Sequence, residues 1–114
     1  MTQREGYYDY MLRRSREEDA KLISPINDLQ QLMTITMEEC GELTQQCSKI
    51  MRKYKTKDQI EEDQQTLLVE ELGDLQCMIN LMIKHKIVTW DQIQARAKVK
   101  NEKLKKWSTL VKDV

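Results

Sequence analysis

Residues 29–50 read LQQLMTITMEECGELTQQCSKI, and their spacing decides the fold. Leu29, Leu32, Ile35 or Thr36, Glu39, Leu43, Gln46 and Ile50 recur every three or four positions. That is the period of one helix face, not of a strand. Just upstream, Ser24-Pro25 has the form of a helix start, with a hydroxyl at the N-cap and proline at the first helical position. Downstream, the polar stretch from Arg52 to Asp58 reads as a connection. A further helix is expected from about Ile60 to Lys86, with Leu67, Leu68, Leu75, Met78, Ile79 and Met82 as its apolar content. Thr89-Trp90-Asp91-Gln92 is a capping box, and it opens a last helix with Ile93, Ala97, Leu104, Trp107 and Val111 on one stripe. The first twenty residues are weakly helical, with Tyr7, Tyr8, Tyr10, Met11 and Leu12 apolar.

Short connections between long helices favour antiparallel neighbours. The expected fold class is therefore all-α, a helical bundle of about four helices completed by dimerisation. The 114 residues suit one domain, 1–114, with 1–23 an N-terminal extension or helix and 24–111 the core. Three glycines and one proline are too few for an all-β chain. With no phenylalanine, the core must be built from Leu, Ile, Met and Val.

No apolar run near the N-terminus resembles a signal peptide, and no stretch approaches a membrane span. Cys40, Cys47 and Cys77 are an odd number inside helical patterns, so they read as buried thiols of a cytoplasmic protein. With a single histidine, His85, they do not suit a zinc site. Lysine plus arginine number 19 and aspartate plus glutamate 19, a balance that argues against nucleic acid or a membrane as partner.

That zero is a sum of blocks. Residues 49–58 carry Lys49, Arg52, Lys53, Lys55 and Lys57 against Asp58 alone. Residues 61–74 hold Glu61, Glu62, Asp63, Glu70, Glu71 and Asp74 with no base, and the tail from Asp91 is again basic. Such alternation suits a site holding a cation and an anion together.

The acidic blocks contain a repeat. Met37-Glu38-Glu39-Cys40-Gly41-Glu42-Leu43 and Val69-Glu70-Glu71-Leu72-Gly73-Asp74-Leu75 share the pattern apolar, Glu, Glu, any, Gly, acid, Leu. Acids three apart lie one turn above each other on a helix, which pairs Glu39 with Glu42 and Glu71 with Asp74. Inward carboxylates are costly unless a cation neutralises them, and Mg²⁺ takes oxygen ligands and is commonly shared with phosphates. Gly41 and Gly73 each cost ~1 kcal/mol against alanine in mid-helix, a cost tolerated where a backbone or ligand approaches closely. A ferritin-like di-iron site needs two Glu-x-x-His elements, which one histidine cannot supply.

With these motifs the chain resembles the MazG-like all-α nucleoside triphosphate pyrophosphohydrolases, whose signature is E-E-x-x-E…E-x-x-D. The resemblance covers about Ser24 to Trp107. It implies a homodimer or homotetramer that hydrolyses a nucleoside triphosphate to the monophosphate and pyrophosphate with Mg²⁺, or Mn²⁺ in its place. It further implies Glu39, Glu42, Glu71 and Asp74 as metal ligands and Glu38 as a catalytic, water-orienting carboxylate. Lys98, Asn101 and Lys105 share one face of the last helix and fit the family's phosphate-side residues. Lys53, from the basic connection, would balance further substrate charge. The aromatic and proline stretch that many relatives carry before the first motif is only loosely echoed by Ser24-Pro25-Ile26-Asn27. A helical dimerisation or regulatory module and a phosphoribosyl-ATP pyrophosphohydrolase are the alternative readings.

Overall fold

The computed structural model describes Gly6, residues 9–13 and residues 26–112. All regular structure among them is helical and no strand occurs, so the chain is all-α as its spacing predicts. Beyond the helical Gly6 and 9–13, the elements are α1 (Asp28–Lys53), a 3₁₀ turn (Lys57–Gln59), α2 (Glu62–Lys84) and α3 (Trp90–Trp107). The chain divides into two compact units, Met1–Ile79 and Asn80–Val114, with the division falling inside α2.

In the first unit, α1 starts later than expected. Ser24-Pro25 lies outside the described residues, and the N-cap is Asn27. Its Oδ1 accepts from the Gln30 N–H at 2.8 Å, while Gln30 Oε1 accepts from the Asn27 N–H at 3.0 Å. Two orphan donors are thereby satisfied reciprocally. Asp28 in the first turn and Arg52 and Lys53 in the last complement the helix dipole.

The connection is tied by Gln59, whose Oε1 accepts from the Lys55 N–H at 2.8 Å. α1 and α2 then run antiparallel. Lys53 meets Glu61 at 3.4 Å beside the turn. Further along, Gln46 Nε2 donates to the Gln64 carbonyl at 3.2 Å and to Gln64 Oε1 at 3.1 Å.

Helical period explains what this hairpin buries. Leu32, Glu39 and Gln46 are buried and Ile35, Leu43 and Ile50 half-buried, the face the spacing marks out. Leu29, in the first turn, departs from it at 53% exposure. Cys40 and Cys47 directly follow Glu39 and Gln46, so the rotation that turns those two inward carries the cysteines ~100° around to the outside. All three cysteines are exposed, which corrects the expectation of buried thiols. On α2, Met78 is buried, Leu68, Leu75, Ile79 and Met82 half-buried, and Leu67 exposed.

The second unit contains the end of α2 and all of α3. After Lys84 the chain closes with Lys86 N–H to Ile83 O and Ile87 N–H to Met82 O, both 3.0 Å, and Lys86 adopts φ 62°. That is a Schellman ending with lysine where glycine is usual. His85 sits exposed in this turn. The Thr89–Gln92 capping box forms as its sequence predicts, with Gln92 N–H to Thr89 Oγ1 at 3.1 Å and Thr89 N–H to Gln92 Oε1 at 3.0 Å. Ile93 and Leu104 are half-buried, whereas Ala97 is exposed, Trp107 is 84% exposed and Val111 lies past the helix end.

Candidate metal centre

Among the described residues, only Leu32 and Met78 are buried hydrophobics, against five buried polar or charged residues: Thr34, Glu38, Glu39, Gln46 and Glu71. A hairpin whose interior carries three glutamates is not built for burial alone, since a buried carboxylate is costly without compensation.

The antiparallel pairing gathers these acids. Moving seven residues from Gln46 back to Glu39 on α1 corresponds to moving seven from Gln64 on to Glu71 on α2. The second glutamate of each acidic element thus arrives at the same level. Glu71 and Asp74, one turn apart, both reach Glu39, and one ligand oxygen from each of the three lies within 4.8 Å of the other two. Glu39 and Glu71 are buried and Asp74 half-buried.

Three negative charges so placed repel by about 3 kcal/mol per pair at an effective dielectric of ~20. A divalent cation reverses that sign. The donor set is oxygen only, with neither histidine nor cysteine in it, which suits hard ions such as Mg²⁺ or Mn²⁺ over zinc. Oxygens on opposite corners of a Mg²⁺ octahedron stand ~4.2 Å apart, so small side-chain rotations suffice to close the cluster. The residues present fit the ion.

The other expected site residues are placed as follows. Glu42 is half-buried one turn beyond Glu39 and stands outside the converging set. Glu38 is buried on α1, also outside that set. Lys53 is exposed at the end of α1 with its ammonium 5.5 Å from the Tyr54 ring centroid. The Tyr54 side chain first, and the Glu61 carboxylate second, hold its pKa above the ordinary lysine value. Lys98, Asn101 and Lys105 belong to the second unit. Lys98 and Asn101 are exposed on α3, and half-buried Lys105 pairs with Glu102 at 3.0 Å.

Gly41 and Gly73 give a different result from the one their positions suggest. Among the described residues a Cβ at either would meet nothing within 4 Å, so no close approach among them accounts for the two glycines. Sequence reasoning placed Gln46 on the inner face but gave it no role; its hydrogen bonds to Gln64 set the register that levels Glu39 with Glu71. The signal was an amide at a position whose neighbours in the stripe are apolar.

No protein-family model, no curated protein and no solved structure matches the chain. Among the described residues, no helix is long and apolar enough to cross a membrane.

Proposed function

We propose that the chain is a Mg²⁺-dependent nucleotide pyrophosphohydrolase, cleaving a nucleoside or deoxynucleoside triphosphate to the monophosphate and pyrophosphate. The observation that carries this reading is the convergence of Glu39, Glu71 and Asp74 from two copies of one sequence element. The resemblance to the MazG-like pyrophosphohydrolases supports it from the sequence side.

Glu39, Glu71 and Asp74 would hold the ion, with Glu42 next in line on the neighbouring turn of α1. Bound there, Mg²⁺ or Mn²⁺ supplies the positive charge that lets a polyphosphate approach an acidic site and steadies charge developing on its oxygens. Water attacks the α-phosphorus, the bond from that phosphorus to the bridging oxygen breaks, and pyrophosphate leaves. Glu38 orients the attacking water. Lys53, fourteen residues or about 21 Å of helix from Glu39, does not reach phosphate at this site within one chain. Lys98, Asn101 and Lys105 on α3 keep the phosphate-side pattern of the resemblance. The active form is a homodimer or homotetramer.

The test is pyrophosphate release from a panel of nucleoside triphosphates, deoxynucleoside triphosphates and phosphoribosyl-ATP, with Mg²⁺ present. The reading requires Mg²⁺-dependent turnover of at least one compound and its loss, by 100-fold or more, in Glu71→Gln. Turnover of phosphoribosyl-ATP alone would move the assignment to that substrate. Full activity in Glu71→Gln would remove the site. A second reading, a non-catalytic association module of the same fold, is favoured by the apolar side chains that α1 leaves exposed. It requires no turnover and no thermal shift with metal.

A further inference from the structure

The outer face of α1 carries a second stripe. Leu29, Met33, Met37, Cys40, Thr44, Cys47 and Met51 are all exposed and recur at steps of three and four. Helical rotation confines them to one band along the length of the helix. Leu29, Met37 and Met51 stand 53%, 59% and 79% exposed. Between Gln30 and Lys49, the charged residues of α1 are Glu38, Glu39 and Glu42, and each is buried or half-buried. One residue in three of this chain is charged, yet this band displays none.

The order along the band is nearly symmetric about Cys40. Met37 and Thr44, Met33 and Cys47, and Leu29 and Met51 lie at matching or nearly matching distances on either side. A second copy laid antiparallel would therefore set each side chain near its counterpart, with Cys40 against itself. The ends agree with that direction. Antiparallel copies set the N-terminal end of one α1 beside the C-terminal end of the other and so oppose their helix dipoles. Parallel copies would align like with like.

We propose that two copies of the chain pair antiparallel along this uncharged band of α1, about a two-fold axis at Cys40. An isologous contact of this kind closes on itself and leaves no open end for growth. It deepens the self-association in the reading above and does not depend on catalysis, because pyrophosphate release and molecular mass are measured separately.

The experiment uses the full chain. Light scattering across a concentration series is expected to give a dimer, and Met33→Glu combined with Met37→Glu is expected to weaken it at least tenfold while retaining helical circular dichroism. Mild oxidation with diamide tests the axis. Two Cys40 thiols would form one disulfide, their two electrons and two protons reducing diamide to the hydrazine. Helix axes 8–10 Å apart bring facing backbones within the range a disulfide spans. The linked dimer is expected in Cys47→Ser combined with Cys77→Ser, and its loss in Cys40→Ser. A monomer at every concentration overturns the pairing. Linkage only through Cys47 or Cys77, or a dimer indifferent to the two glutamates, overturns it as well. Should the doubly charged variant fail to fold, the cysteine result decides alone.

Discussion

Glu39 on α1 and Glu71 on α2, the second glutamates of two copies of one sequence element, meet across an antiparallel hairpin with carboxylate oxygens within 4.8 Å. Both are buried. A duplicated acid in an antiparallel pair of helices becomes a shared centre as soon as the register is right, and Asp74 completes it from one turn away.

The cluster makes the effect of Glu71→Gln opposite with and without metal. Without divalent ions the substitution removes one of three mutually repelling charges, so the variant is expected to be more stable than the parent by roughly 1–3 kcal/mol. With millimolar Mg²⁺ the parent is expected to gain about 1–3 kcal/mol and the variant much less. Thermal melts of both chains, each with EDTA and with Mg²⁺, check this. Parallel behaviour in the two chains would show that the three acids do not share an ion.

Gln46→Ala tests the register. It removes a buried amide that bonds Gln64 twice and leaves the part-buried Gln64 carbonyl without that donor. A loss of about 1–3 kcal/mol is expected. Because the same bonds level the acids, the Mg²⁺ stabilisation should fall too, which a simple cavity would not produce. Urea melts with and without Mg²⁺ separate the two effects.

Gly73→Ala is expected to raise stability by about 1 kcal/mol, because a Cβ there meets nothing within 4 Å and alanine is the better helix former. A drop in melting temperature instead would reveal that something other than the described residues packs on α2 at this level.

Lys86→Gly addresses the end of α2. Lysine holds φ 62° there, a conformation that costs a side-chain-bearing residue about 1 kcal/mol and glycine almost nothing. A gain of ~0.5–1 kcal/mol is expected, read as a rise in melting temperature, with both closing hydrogen bonds kept.

Much of this was legible because helices repeat. The apolar period of α1 and the Thr89 capping box follow from i, i+3 and i, i+4 geometry and the structure bears both out, while of the four acids of the repeat it brings Glu39, Glu71 and Asp74 together. Other features depend on geometry that one period does not carry. Asn27-x-x-Gln30 offers the same capping chemistry as Thr89-x-x-Gln92, but Ser24-Pro25 competes with it in the sequence. Cysteine's usual preference for burial was overridden by Glu39 and Gln46, which claim the inner face. Glu42 and Asp74 occupy equivalent places in the repeat, yet only Asp74 joins the cluster, a distinction of side-chain placement that spacing does not encode.

The contacts along the hairpin are graded by how much chain each must close. Lys53 and Glu61 are neighbours across the turn, Gln46 and Gln64 lie 18 residues apart, and Glu39 and Glu71 are the most distant of these pairs. Closure entropy grows with loop length, so the hairpin is expected to zip from its turn, with the carboxylates joining after Gln46 and Gln64 and the far ends of α1 and α2 closing last. An ion captured there would act as a latch midway along helices already paired, holding the half nearer the turn closed while the far ends fray. Its supply would then govern how often the hairpin opens, not whether it forms.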